Sequence, residues 1–341
     1  MDPFVLAAEQ SRRTPGRYVG LALAQRGSIR SAAFLDGRER GDQPRSSIAS
    51  LTKPITATAV MQLVEAGGID LEAPIGTYVA EFGSRLPTGE APPSPVTIGR
   101  ILSHTAGLVD LPDEELFRLP PTPEAMLRAV CSTRLAYVPG TEFRYASEPW
   151  YLLSATVERV SGQPFATFVR DRILRPLGMA STGFDPTSAG PAPLPPLGAF
   201  GGPDTSPDER IRLFASLVMP GGGLWSTPDD VLRFGRAMLG GGELDGARIL
   251  SQRSVEAMTA SRTDRVSEPD NPGPVRYGLG WGLQLGYGTS DRAFGHTGAT
   301  GSILLIDPAY DLVVVYLRNW WGVNSDDTDE MLDAIYAAIS A

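Results

Sequence analysis

The sequence predicts an α/β protein: a mainly antiparallel sheet built from both chain ends and flanked by helices, with an inserted, mostly helical domain. Three observations predict it. Apolar, β-branched runs lie near both termini, at residues 18–25 and 31–35 and again at 301–306 and 312–317. Helix-period patterns fill the middle and return at the end of the chain. The 341 residues are enough for two units on a prior of about 150 residues each. Residues 1–75 and 225–341 are therefore assigned to the sheet-bearing domain and residues 76–224 to the insertion, with an active site expected between them.

Each element follows from local signals. The first two strands flank the turn-like Arg26-Gly27-Ser28. Residues 50–65 read as a helix, because Ile55, Ala59 and Leu63 recur at i, i+4 and i+8 and Gly67-Gly68 supplies the stop. Pro54 falls in its first turn, where N–H groups lack partners in any case. Residues 149–160 form a second helix, with Leu153/Val157 and Thr156/Val160 on related faces and Gly162 closing it. Residues 185–207 are rich in Pro, Gly and Ser without periodicity and read as a loop or a lid. A glycine-rich turn at 221–227 leads into a helix over 228–239, capped by Ser226 or Thr227. Asp307-Pro308-Ala309-Tyr310-Asp311 joins the last two strands as a hairpin, and an amphipathic helix over 326–340 ends the chain. No internal repeat is visible.

Composition excludes several functions. A net charge of -9 argues against a nucleic-acid partner or an anionic membrane surface. The single cysteine, Cys131, excludes an internal disulfide and reads as buried packing. With only His104 and His296 beside it there is no Cys/His zinc constellation, and no metal or cofactor is expected. No apolar run reaches the 18 or more residues of a membrane span. Residues 1–16 lack an apolar core behind a basic start, so no signal peptide is visible and a cytoplasmic location is expected. His104 reads as a structural histidine. Trp225, Trp281, Trp320 and Trp321 read as core or hairpin packing rather than pocket lining. The oligomeric state is left open.

One count locates chemistry. Of the 30 basic residues a single one is lysine, Lys53, and all the others are arginine. Codon bias explains the arginines. The lysine stands in Ser50-Leu51-Thr52-Lys53, which puts a hydroxyl at a helix start and an amine one turn later on the same face. A serine hydroxyl needs a base to become a nucleophile. Lysine serves as that base if its pKa is brought down from about 10.4, whereas arginine stays protonated.

The surrounding motifs resemble the serine β-lactamase-like, penicillin-recognising enzymes. The likeness is closest to the class C branch, with its family VIII carboxylesterase, DD-peptidase and acyltransferase relatives. Ser50-x-x-Lys53 resembles the first motif. Leu102-Ser103-His104-Thr105-Ala106-Gly107-Leu108 resembles L-L-x-H-T-S-G-L, and the segment from Pro139 through Tyr145 to Ser147 resembles P-G-x-x-F-x-Y-S-N. Gly222-Gly223-Leu224-Trp225-Ser226-Thr227, Tyr277-Gly278-Leu279-Gly280-Trp281 and His296-Thr297-Gly298 resemble the later motifs, in the family's order.

The resemblance implies roles. Ser50 is the acylated nucleophile, and Lys53 is its proton acceptor or holds a partner anionic. Tyr145 carries the proton to the leaving group, and a neighbouring ammonium favours its phenolate. The backbone N–H groups of Ser50 and Ala299 form the oxyanion hole, each such donor worth about 2.7–4 kcal/mol. Ser147, His296, Thr297 and Gly298 contact substrate.

Two departures matter. Ser147 stands where many relatives have asparagine; it holds the lysine, or caps the helix beginning near Pro149, or does both. His296 stands where many have lysine and is largely neutral above its pKa of about 6.5. The expected function is a serine hydrolase of the carboxylesterase type acting on a small-molecule ester or amide. Acyltransferase, DD-peptidase and β-lactamase activities are alternatives, and a non-catalytic covalent sensor is disfavoured. No G-x-S-x-G occurs, which argues against an α/β-hydrolase esterase.

Overall fold

The computed structural model describes residues 1–116, 118–186, 207–269, 274–283, 285–286, 288–320 and 325–339. The stretch 187–206, which holds nearly all of the expected loop or lid, and Trp321 lie outside the described residues. Tyr18–Gln25 (β1) and Ser28–Leu35 (β2) pair antiparallel through a two-residue turn. Arg26 and Gly27 both take positive φ there, the backbone twist that suits a tight hairpin. The remaining strands are β3 (Arg38–Arg40), β4 (Ser46–Ser47), β5 (Trp225–Ser226), β6 (Glu243–Leu244), β7 (Ala247–Arg248), β8 (Gly282–Leu283), β9 (Phe294–Thr297), β10 (Ile303–Asp307) and β11 (Leu312–Arg318).

The main sheet is antiparallel with strand order β3-β2-β1-β11-β10-β9-β8. Its centre is the junction of the two chain ends: β1 pairs with β11 from Val19↔Arg318 to Gln25↔Leu312. The sheet from both termini is thus the observed one. Alternate residues of β11 enter different cores: Val313, Val315 and Leu317 pack on one face, and Leu312, Val314 and Tyr316 on the other. Burial on both faces explains why this strand reads as a continuous apolar run.

The helices are α1 (Pro3–Arg12), α2 (Thr52–Glu65), α3 (Ile98–Leu102), α4 (Asp113–Leu116), α5 (Pro123–Ser132), α6 (Tyr151–Ser161), α7 (Phe165–Val169), α8 (Pro207–Leu217), α9 (Pro228–Leu239), α10 (Gln252–Met258) and α11 (Ser325–Ile339). α9 covers the first sheet face, and α1 with α11 covers the second. Gly235 permits the close approach of α9, since a Cβ there would stand 2.5 Å from Val313 Cγ1. Helix α1 is absent from the sequence expectation, yet its signals are local. The Asp2 side chain accepts from Phe4 N at 2.7 Å and Pro3 occupies the first turn.

Two of the boundaries that differ from expectation bear on the site. The helix expected from residue 50 begins as a single 3-10 turn, Ala49–Leu51, before α2 takes over at Thr52. The strand expected from residue 301 begins at Ile303, because Gly298 to Ser302 close a tight turn. Both irregularities lie at the site described next. Among the described residues no helix is long and apolar enough to cross a membrane.

Candidate active site

Ser50 lies in the 3-10 turn at the head of α2, and Lys53 in the first turn of that helix. The head is pinned by polar side chains facing inward. Thr52 Oγ1 donates to Ala49 O at 2.7 Å and accepts from Leu224 N at 3.1 Å; Thr56 Oγ1 donates to Pro220 O at 2.7 Å. The 220–224 segment is thereby held against the helix. From the opposite side comes the end of β9. Gly298 has no room for a side chain, since a Cβ would lie 2.9 Å from Ile48 O. That close approach brings Ala299 beside Ser50 on one cavity wall. Among the described residues the Ser50 and Ala299 N–H groups make no hydrogen bond.

Lys53 is fully enclosed. Its Nζ stands 2.8 Å from Gly221 O, 3.0 Å from Ser147 Oγ and 3.4 Å from Ser50 Oγ. Burial brings its pKa down to about 7, partly opposed by the negative field of Asp110 and Glu148. The contacts count out for a neutral amine. Gly221 O only accepts and takes one N–H, Ser147 Oγ accepts another, and the remaining position of Nζ faces Ser50 Oγ.

Tyr145 is 42% exposed, and the Ser50 hydroxyl is close enough to its phenol to favour the ionised form in part. Its position is set by His104, a residue held at φ +57°. His104 O accepts from Arg144 N at 2.9 Å, and His104 Nδ1 accepts from Ala146 N at 3.2 Å. The two neighbours of Tyr145 are thus clamped while its ring lies 4.4 Å from the imidazole. Burial and the nearby Lys53 hold His104 well below the usual histidine pKa, as a structural group. Burial also pushes the Tyr145 phenol above its ordinary value. That direction is opposite to the one a phenolate needs, although Lys53 Nζ lies 4.6 Å from the ring centre.

For Ser147 one of the two alternatives holds, and for His296 the expectation changes. Ser147 makes no side-chain cap. Its hydroxyl is committed to Lys53, and the capping acceptor is Asp110, whose Oδ1 takes Ser147 N at 2.5 Å and Glu148 N at 3.0 Å. His296 was expected to contact substrate, but its side chain is buried with both nitrogens engaged. Nδ1 donates to Thr297 O at 2.7 Å, which leaves Nε2 to accept from Tyr277 Oη at 2.9 Å. Burial, then Lys53, lowers its pKa to about 3, so it carries no charge. Thr297 stays exposed and Gly298 lies against the 3-10 turn.

A cavity of about 300 Å³ opens on Ser50 and Ala299. Leu116, Leu119, Met126, Leu213, Leu217 and Met219 make its apolar wall. The one carboxyl among its described lining residues is that of Glu148, which burial and the adjacent Asp110 carboxylate push up to about 9. Sequence reasoning missed Asp110 and Glu148, and it missed this cavity, which gathers residues about 100 positions apart in the chain. Trp225, Trp281 and Trp320 are buried core residues, as expected. Cys131 is buried and its thiol is pushed up to about 11, an inert packing group. Among the described residues no group of three or more His, Cys, Asp or Glu is placed to hold a metal ion.

Comparison with known proteins adds three findings. The family model described as Beta-lactamase matches residues 7–338. Esterase EstB of Burkholderia gladioli is 30% identical over 373 aligned residues, covering 92% of this chain and 89% of that esterase. Protein Rv1367c of Mycobacterium tuberculosis is 31% identical over 315, covering 79% and 76%. Among solved structures, EstCE1, described as a hydrolase with promiscuous acyltransferase activity, shares the fold with a TM-score of 0.80. It is 22% identical, and the match covers 98% of this chain and 97% of that one.

Proposed function

The chain belongs to the beta-lactamase family, a family of serine hydrolases, and from that premise we propose that it is a carboxylesterase acting through an acyl-enzyme on Ser50. The observation that carries this reading is the enclosed Lys53, poised to be neutral near pH 7 with the remaining position of Nζ toward the Ser50 hydroxyl. As Ser50 Oγ bonds to the ester carbonyl carbon, its proton passes to Lys53 Nζ. The carbonyl oxygen takes the negative charge and is held by the Ser50 and Ala299 N–H groups. When the C–O bond breaks, Tyr145 gives its phenolic proton to the departing alkoxide and recovers one from Lys53. Water then repeats the sequence on the acyl-enzyme and releases the acid.

The surroundings of Ser50 favour neutral esters over carboxylate-bearing peptides and β-lactams. His296 is uncharged and enclosed, and the described cavity lining contains an acid and no base. An apolar wall suits an aliphatic acyl group. Each methylene buried there is worth about 0.8 kcal/mol, so kcat/KM is expected to rise about fourfold per carbon along a p-nitrophenyl ester series until the cavity is full. Met126→Trp is expected to shift the optimum to shorter chains with little change for acetate. The absence of any acyl adduct on Ser50 by mass spectrometry, whatever the ester, overturns the reading. Acyl transfer, the promiscuous activity described for EstCE1, uses the same acyl-enzyme with an alcohol in place of water.

A pH dependence follows from Lys53. The reactive form is the free amine, so protonation below its pKa of about 7 removes the base. Expected is a kcat/KM that climbs about tenfold per unit up to pH ~7 and then levels. A profile that is flat from pH 5 to 8, or that falls, rejects Lys53 as the base.

A further inference from the structure

Ala299 lies in a turn whose anchor comes from the far side of the sheet. Gly298 N donates to Ser302 O at 2.7 Å and Gly301 N donates to Gly298 O at 2.8 Å, which closes the turn. The carbonyl of Gly301, two residues beyond Ala299, then points inward and accepts from Arg318 Nε at 3.1 Å. Thr328 Oγ1 reaches the same oxygen at 3.4 Å. The Arg318 backbone N–H donates to Ser302 Oγ at 3.0 Å, and that hydroxyl pairs with Thr300 Oγ1 at 2.9 Å.

Arg318 is itself immobilised. Its side chain is 0% exposed, its Nη1 meets Asp327 Oδ2 at 3.3 Å, and its guanidinium carbon lies 4.4 Å from the Trp320 ring centre. Gly301 is required by the arrangement: φ is +71°, and a Cβ would overlap the Arg318 guanidinium.

We propose that Arg318, braced by Asp327 of α11, is a positioning residue for the oxyanion hole: it holds the Gly301 carbonyl and so aims the Ala299 N–H at the carbonyl oxygen of the substrate. The inference rests on the acyl-enzyme reading above, in which Ala299 supplies that donor. The physical argument is preorganisation. A donor aimed in advance stabilises the oxyanion without reorganising during the reaction, and a misplacement of about 1 Å costs about a hundredfold in rate. A five-residue turn held only by its own backbone would not be restrained to that tolerance. A planar, permanently charged fork gripping a carbonyl on one side and a carboxylate on the other is suited to it.

Arg13 supplies the control, because it pairs with the same Asp327 and has no contact with the turn among the described residues. Arg318→Met, Arg318→Lys and Arg13→Ala are compared with the parent chain for the rate of Ser50 labelling by an alkyl fluorophosphonate. This probe places its phosphoryl oxygen in the hole. Stability by urea unfolding and kcat and KM on a p-nitrophenyl ester are measured beside it.

Arg318→Met is expected to label about ten- to a hundredfold more slowly and to lose kcat by a similar factor, with KM changed less than about threefold. Arg318→Lys, which satisfies one partner but not both, is expected to fall between. Arg13→Ala is expected to lose stability while labelling at the parent rate. Equal slowing in Arg13→Ala and Arg318→Met, or parent-like labelling in a folded Arg318→Met, overturns the proposal. If Arg318→Met does not fold, Arg318→Lys decides by the same two readouts. If the parent chain is not labelled at Ser50 at all, the acyl-enzyme reading falls and takes this inference with it.

Discussion

Lys53→Arg is expected to lower kcat/KM by about a thousandfold or more and to leave Ser50 unacylated, although the formal charge of the side chain is kept. The reason is the proton inventory at Nζ. Two of its positions are spent on Gly221 O and Ser147 Oγ, and the third faces the nucleophile. A guanidinium has five donors and no usable lone pair, so it has nothing with which to take the Ser50 proton. It is also larger than the space provided: a mere Cβ on Gly221 would already approach Lys53 Nζ to 3.3 Å. Finally, desolvation favours the uncharged amine, an option arginine does not have. The measurement is Ser50 labelling by fluorophosphonate beside ester turnover, with urea unfolding to show that the variant is folded. Activity within tenfold of the parent in a folded Lys53→Arg would remove the lysine from its role.

The parts of this site that were legible in the sequence are those set by short spacing. Ser50 and Lys53 are one helical turn apart, and any helix over 50–65 puts them on one face. The composition made Lys53 conspicuous because arginine fills every other basic position. The strand runs at both ends were legible for a related reason, since a strand buried on both faces must be apolar throughout. What escaped was whatever depends on contacts between distant segments. Asp110 caps the turn at 147–148 from a separate loop, and nothing local marks that carboxylate as a cap. The commitment of Ser147 to Lys53 rather than to its own helix is decided by the amine's need for an acceptor in a closed space. The lowered pKa of His296 follows from burial and then from the nearby Lys53, neither of which spacing reveals. Helix α1 carries a local start signal in Asp2-Pro3 and lies outside the elements that periodicity picks out.

The same distinction gives meaning to the departures from the family pattern. Histidine for lysine in the third motif looks conservative on a charge count made at low pH. In the fold it is a deletion of charge, since both nitrogens are consumed inside the protein. That deletion leaves no cation at this position to attract a carboxylate.

Asp327→Ala is expected to destabilise the protein by about 3–5 kcal/mol, the cost of stranding a buried charge. Asp327 meets arginines from three places: Arg13 after α1, Arg17 at the entry to β1 and Arg318 at the end of β11. Its own side chain is 2% exposed and that of Arg318 is 0% exposed, so removal of the carboxylate leaves a guanidinium that water does not reach. Glu114 makes the contrast. It pairs with Arg118 at 3.8 Å on a surface where the two side chains are 88% and 80% exposed, and Glu114→Ala is expected to change stability by less than about 0.5 kcal/mol. Urea unfolding of both variants, compared at equal m-values, tests the pair of expectations. A loss near 1 kcal/mol for Asp327→Ala would mean that the other contacts of Arg318, Gly301 O and the Trp320 face among them, suffice to hold its charge. The larger loss would mean that the junction of the two chain ends depends on one carboxylate. β1 and β11 meet at the centre of the sheet, and the turn bearing Ala299 is anchored to the same guanidinium. A chain whose ends come apart there would therefore lose its catalytic geometry before its remaining helices unfold, so loss of labelling at Ser50 should precede the main unfolding transition in Asp327→Ala.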